Sequence, residues 1–202
     1  MPRRTTVAVV AVVVAAAVIA LVALAGAGGR GLAPEAGTGQ VEPVGSAVAV
    51  IPEADRRPLP AFSAATLDGT RIDLGSLRGR PLVLNFWASW CGPCRAEQQG
   101  LELASRTLAG RDVRMVGVNI RDDRGAAASY LEEFGVGYPS LFDRAALLSA
   151  RLGALGPQAP PYTLVVDARG RVAARVFGAL PGGEPKRQAA LLTDLVERVT
   201  GQ

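Results

Sequence analysis

The chain has 202 residues, with 22 Lys and Arg against 18 Asp and Glu for a net charge of +4, two cysteines and no histidine. That length allows one domain of about 150 residues plus extensions, and the mild, scattered basicity argues against nucleic acid as a partner. The missing histidine excludes Ser-His-Asp and Cys-His catalysis, and two cysteines alone cannot complete a thiolate-imidazole zinc site within one copy, so no metal is expected.

From the N-terminus, residues 1–6 carry Arg3 and Arg4, and Val7 to Ala27 contain no charge. At about 1.5 Å per residue the uncharged run reaches about 30 Å, enough to cross a bilayer core. A single transmembrane helix over 7–27 is therefore expected, with 1–6 cytoplasmic and the remainder extracytoplasmic at the cell membrane. The run exceeds the apolar core usual for a secretory signal, which favours an uncleaved anchor. Ala25-Gly26-Ala27 nevertheless offers a small-residue cleavage site, which would make the protein secreted. No cysteine precedes Cys91, which excludes a lipid-anchored lipoprotein. Gly26-Ala27-Gly28-Gly29-Arg30-Gly31 fits a dinucleotide-binding spacing, but that spacing has meaning only between a strand and a helix. Residues 28–56, rich in Gly, Pro, Ala and Glu, read as a flexible linker, with a short strand open at Ala47 to Ile51.

Residues 57–200 carry the domain. Phe62 to Leu67, an Asp68-Gly69 turn and Thr70 to Leu74 predict a β-hairpin. A helical turn around Ser76 and Leu77 leads into a strand over Leu82 to Ala88. The cysteine pair and a helix follow. Val113 to Ile120 then reads as a buried strand, and Gly125 to Phe134 and Ala145 to Leu152 read as helices. Tyr162 to Asp167 and Val172 to Phe177 form a second hairpin around Ala168-Arg169-Gly170. Pro185 to Val199 closes the chain as a helix with Leu191, Leu192 and Leu195 on its apolar side. Strands alternating with helices and ending in a hairpin predict a three-layer α/β domain with a central mixed sheet and an N-terminal hairpin extension.

Both cysteines lie in Trp90-Cys91-Gly92-Pro93-Cys94. The strand before them and the helical pattern after them put Cys91 at a helix N-terminus, where unpaired N–H groups and the helix dipole lower a thiol pKa from about 8.5 towards neutrality. Cys91 is the expected nucleophile, and Cys94, one turn deeper, the expected resolving thiol. Pro93 suits a first helical turn, and Gly92 leaves room for a partner chain. As a structural staple the pair would contribute only about 2 kcal/mol of loop closure, and Arg95 stands where haem attachment needs histidine. Cys94, Leu101, Ala104 and Leu108 fall within a sector of about 80° on the helix, its buried stripe. Glu97 lies inside that sector. Burial would raise its pKa and suit it to take the proton of Cys94; the alternative is a helix-start carboxylate that bends to water or to an arginine.

Asn85-Phe86-Trp87-Ala88-Ser89-Trp90-Cys91-Gly92-Pro93-Cys94-Arg95-Ala96-Glu97 resembles the membrane-anchored TlpA/ResA/DsbE-like thiol-disulfide oxidoreductases of the thioredoxin superfamily. So do Phe62 to Gly69, Ile72 to Gly79, and Pro161 to Asp167 with Gly170. The resemblance implies a thioredoxin-like fold, a redox disulfide Cys91–Cys94 and no cofactor. It implies that Trp90 shields the disulfide and shapes the contact surface, whereas Trp87 suits packing. Asn85 occupies the place of a buried aspartate in cytoplasmic thioredoxins, and Gln99 that of a helix-kinking proline. Pro161 takes the place of the family's cis-proline, expected against the disulfide, and Pro160 before it removes an N–H from substrate pairing. The implied function is a dedicated extracytoplasmic reductant of exported protein disulfides, such as apocytochrome c or copper-site assembly proteins. Its electrons would come from a membrane thiol carrier of the CcdA/DsbD type. An oxidant that introduces disulfides, or a metal-chaperone or binding module on the same fold, remain as alternatives. A peroxiredoxin is disfavoured, because it would place a lone cysteine after a Thr-Xaa-Xaa lead.

Overall fold

The computed structural model describes residues 48–201, so the expected span over 7–27 and most of the expected linker lie outside the described residues. Among the described residues no helix is long and apolar enough to cross a membrane. The strands are β1 (Val48–Val50), β2 (Ser63–Ala65), β3 (Arg71–Asp73), β4 (Leu82–Trp87), β5 (Arg114–Ile120), β6 (Ser140–Asp143), β7 (Tyr162–Val166) and β8 (Val172–Phe177). The α-helices are α1 (Gly92–Ala109), α2 (Arg124–Phe134), α3 (Leu147–Leu152) and α4 (Pro185–Thr200).

Six strands form one sheet in the order β1-β8-β7-β4-β5-β6, and β2 pairs with β3 in a separate hairpin. β4, β5 and β6 run parallel while β7, β8 and β1 are antiparallel, which is the mixed sheet expected. Every residue of β4 is buried, as a central strand covered on both faces requires. Alternation then divides the core. Leu82, Leu84 and Phe86 join Val116, Val118, Leu164, Leu148 and Phe62 on one face. Val83 joins Leu101 and Leu108 of α1, Val165, and Leu192 and Val196 of α4 on the other. Helices α1 and α4 pack closely at Gly100, where a Cβ would stand 2.6 Å from the Gln188 side chain and 3.2 Å from the Pro185 carbonyl.

Three differences from expectation have local causes. Val48–Val50, within the stretch left open as a short strand, is the sheet's edge strand, paired with Ala174–Val176, so the domain begins inside the segment expected as linker. β6 was not expected, because Ser140-Leu141-Phe142-Asp143 is too short to show a period. It is held by pairing with β5 and by the bridge from Thr66 to Leu141. α3 starts at Leu147 rather than Ala145. There Asp143 caps the N–H groups of Leu147 and Leu148, each at 2.8 Å, and turns the chain through Ala146, which has φ 53°.

Candidate active site: a disulfide above a buried carboxylate

The end of β4 and the start of α1 place the cysteines. Cys91 is the N-cap of α1 and Pro93 sits in its first turn. The Cys94 N–H donates to the Cys91 sulfur at 3.2 Å, which is how a helix start favours a thiolate at that atom. The two cysteines form a disulfide with Cα atoms 5.2 Å apart, and both are buried. Gly92 and Pro93 are exposed, and nothing lies within 4 Å of where a Gly92 side chain would begin. α1 runs unbroken past Gln99, which is exposed.

Glu97 is 1% exposed. Leu101, Ala104 and Leu108 are buried with it, as the helical sector predicts, and Gln98 and Glu102 widen the buried face. The Leu180 N–H donates to Glu97 Oε2 at 2.7 Å and Asn85 Nδ2 donates to Oε1 at 3.1 Å. No cation reaches this carboxylate among the described residues. Burial pushes its pKa up to about 7 against the opposing pull of those two donors.

Asn85 Nδ2 also donates to Thr163 Oγ1 at 3.1 Å, and its Oδ1 has no partner among the described residues. The residue in the aspartate's place therefore serves as a donor to Glu97 rather than as an acid. Trp87 packs as expected: it is buried, stacks on Tyr130 with ring centroids 4.5 Å apart, and donates its indole N–H to Ser140 Oγ at 2.8 Å. Tyr130 in turn donates its hydroxyl to the Cys94 carbonyl at 3.1 Å.

Trp90 is 59% exposed, and its indole N–H donates to the Arg121 carbonyl at 3.0 Å. Pro161 follows a cis peptide bond from Pro160 and is buried. The β4–β7 register sets Phe86 opposite Tyr162, so Pro161 lies at the end of the sheet where β4 delivers Cys91. The Gly178 N–H donates to the Pro161 carbonyl at 3.1 Å.

A Redoxin family model matches residues 54–191. The chain belongs to the Redoxin family. This Redoxin chain is 38% identical over 128 residues to thiol:disulfide interchange protein DsbE of Yersinia pestis, covering 61% of this chain and 64% of that protein. The match thus spans less than two thirds of that relative's length. Among solved structures, a DsbF homologue from Corynebacterium diphtheriae superposes with a TM-score of 0.68 at 27% identity, covering 77% of this chain and 95% of that one. A secreted thiol-disulfide isomerase from Corynebacterium glutamicum gives a TM-score of 0.66 at 30% identity over 77% and 95%. The expected thioredoxin-like fold and DsbE-like kinship both hold.

Sequence reasoning missed one residue at the rim of the Redoxin site. Asp122 is buried and accepts four hydrogen bonds, two of them from Ser89, beside Trp90. In the sequence, Asp122-Asp123 before a helical pattern reads only as a helix cap, and Asp123 is indeed the cap of α2. A cleft of about 930 Å³ lies elsewhere. Arg106, Ala109, Val113 and Met115 help line it, at the opposite ends of α1 and β5 from the cysteines.

Proposed function

We propose that this protein is an extracytoplasmic thiol-disulfide oxidoreductase that reduces disulfides of exported proteins. The observation that supports it most is a helix-capping Cys91–Cys94 disulfide one turn above a buried carboxylate. In the reduced protein the Cys91 thiolate attacks one sulfur of a substrate disulfide and the other leaves as a thiolate. Cys91 is then held in a mixed disulfide. Cys94 gives its proton to the Glu97 carboxylate and attacks the Cys91 sulfur, closing Cys91–Cys94 and releasing the second substrate thiolate. Two electrons pass from the cysteine pair to the substrate. A carboxylate whose pKa is pushed up to about 7 is matched to that transfer near neutral pH. Trp90, Gly92, Pro93, Pro160 and Pro161 form the substrate-facing surface of this reading.

The reducing direction follows from compartment. Val7 to Ala27 would anchor the domain outside the cytoplasm, where disulfides form readily and a dedicated reductant has substrates. Apocytochrome c and copper-site assembly proteins are the substrate types proposed, with a CcdA/DsbD-type membrane carrier resupplying electrons. The test is the reduction potential of the soluble domain. A value near about −270 mV or below supports the reductant, and one near about −120 mV overturns it in favour of an oxidant. Cys94→Ser should accumulate mixed disulfides with substrate, and accumulation in Cys91→Ser instead would reverse the two roles.

A further inference from the structure

The turn after β5 touches both neighbours of the cysteine loop. Strand β4 lies between β5 and β7, so the turn that leaves β5 and the loop that enters β7 flank the end of β4, where Trp90 and Cys91 emerge. Asp122 ties the β5 turn to the cysteine loop. Its Oδ2 accepts from the Ser89 N–H at 2.6 Å and Asn119 Nδ2 at 2.8 Å, and its Oδ1 accepts from Ser89 Oγ at 2.7 Å and the Asp123 N–H at 2.9 Å. Arg121 makes the other ties. Its carbonyl takes the Trp90 indole N–H at 3.0 Å, and its Nη1 donates to the Gln158 carbonyl at 3.2 Å. Arg121 holds φ 52°, a left-handed conformation unusual for a non-glycine residue. Such outliers persist where the surroundings over-determine them, as four hydrogen bonds between three loops do here.

We propose that Arg121 and Asp122 form a strap that fixes Trp90 relative to the Gln158–Pro161 loop and thereby selects polypeptide disulfides over small-molecule disulfides. A polypeptide substrate must meet Trp90 on one side of Cys91 and the backbone before β7 on the other, so its docking depends on their spacing. A small disulfide needs only the Cys91 sulfur. Asp122 and Arg121 are positioning residues in this reading, since they act through Trp90 and the Gln158 loop. The exposed rim, not the buried chemistry, then carries the selection.

The proposal rests on the thiol-exchange reading, and one experiment distinguishes the two. The reduced protein is mixed with a disulfide-bonded peptide of about ten residues and, separately, with the small aromatic disulfide 5,5′-dithiobis(2-nitrobenzoate). If the wild type reacts with neither while a free thiol does, thiol exchange itself fails. If it reacts with both, Asp122→Ala should slow the peptide reaction about tenfold or more, through weaker saturation, and change the small-disulfide rate by less than about twofold, the pattern expected of lost uniform binding. Equal slowing of both, or slowing of neither, overturns the strap.

Two further readings separate it from a general loss of structure. Trp90 is exposed and Trp87 buried, so acrylamide-quenchable fluorescence reports Trp90, and its anisotropy should decay faster in Asp122→Ala. Asp122→Asn should recover part of the peptide rate, because the unpartnered Asn119 Oδ1 can turn to meet the new amide. Arg121→Gly suits the left-handed backbone, removes only the Gln158 tie and keeps the carbonyl that holds Trp90. It should lower the peptide rate without freeing Trp90, and an unchanged peptide rate in this variant overturns the Arg121 half of the proposal.

Discussion

Glu97 beneath the disulfide and Asp122 at its rim are both buried carboxylates, 1% and 6% exposed, yet their acidities move in opposite directions. For both, burial raises the pKa. Glu97 receives two donors, from Leu180 and Asn85, and burial wins. Asp122 receives four, from Ser89, Asn119 and Asp123, and they outweigh burial to hold its carboxyl below the usual range. Low exposure alone therefore does not fix the direction in which a carboxylate's acidity moves. The direction is set by the depth of burial and the number of donors aimed at the ionised form together.

The strongest way to break the comparison is to remove each carboxylate's charge. Glu97→Gln should slow the resolving attack by Cys94 by roughly ten- to a thousandfold and flatten its pH dependence, in line with general-base losses. The first attack by Cys91 should stay nearly intact. Asp122→Asn should leave the resolving step within about twofold of wild type. Rapid-mixing kinetics separates the two steps, and a Glu97→Gln resolving rate and pH profile like the wild type's would remove Glu97 from the mechanism.

Stability against pH sharpens the same contrast. The folded Glu97 pKa lies above its ordinary 4.5, so the stability carried by its proton is fully present below pH 4.5 and is lost as pH rises through about 7. Relative to Glu97→Gln, wild type should lose about 3 kcal/mol across that window, taking about 1.4 kcal/mol per unit. Asp122 has the opposite sign. Its folded pKa is depressed, so its contribution is present above pH 3.8 and is lost as pH falls through the folded value. Denaturant titrations of Glu97→Gln and Asp122→Asn at several pH values should give difference curves of opposite slope.

Both carboxylates sit in one short chain, but only Glu97 was legible in the sequence. Its burial follows from helical spacing alone, since Cys94, Leu101 and Ala104 mark the buried stripe and Glu97 falls within it. The donors could not be read the same way. Leu180 contributes a backbone N–H from a loop 83 positions away, and Ser89 reaches Asp122 across 33. Strands β4 and β5 were legible because buried runs such as Leu82 to Phe86 are apolar at every position but Asn85 and β-branched in part. β6 was not, because its strand character comes from its pairing with β5 and Thr66 rather than from Ser140-Leu141-Phe142-Asp143 itself. The cysteine pair needed no tertiary information: a strand, a turn and a helix start carry it.

Asn85 offers a finer cut, because it removes one donor and leaves burial in place. Asn85→Leu should raise the Glu97 midpoint above about 7 by about one unit, since the Asn85 hydrogen bond opposes the effect of burial. The pH profile of the resolving step reads this directly. A midpoint that stays put would mean that the Leu180 N–H alone supplies the opposition to burial.

The smallest effect is expected at Arg95, and its smallness is informative. Arg95 is the cation nearest in sequence to Glu97, but it faces the other way. It pairs with Glu133 and lies over the Phe134 and Tyr130 rings, 5.0 and 5.5 Å from their centroids. Both members of the pair are largely exposed, so Arg95→Gln should change stability little, as expected of a surface pair with a weak ring contact. If burial and two neutral donors set the acidity of Glu97, the midpoint of the resolving step should then move by less than about 0.3 unit at ordinary ionic strength, where solvent and salt screen an exposed charge. A shift of a full unit upward would mean that Arg95 holds Glu97 ionised across the first turn of α1. An ion pair would then oppose burial at Glu97 beside its two neutral donors, whereas Asp122 is held ionised by hydrogen bonds alone.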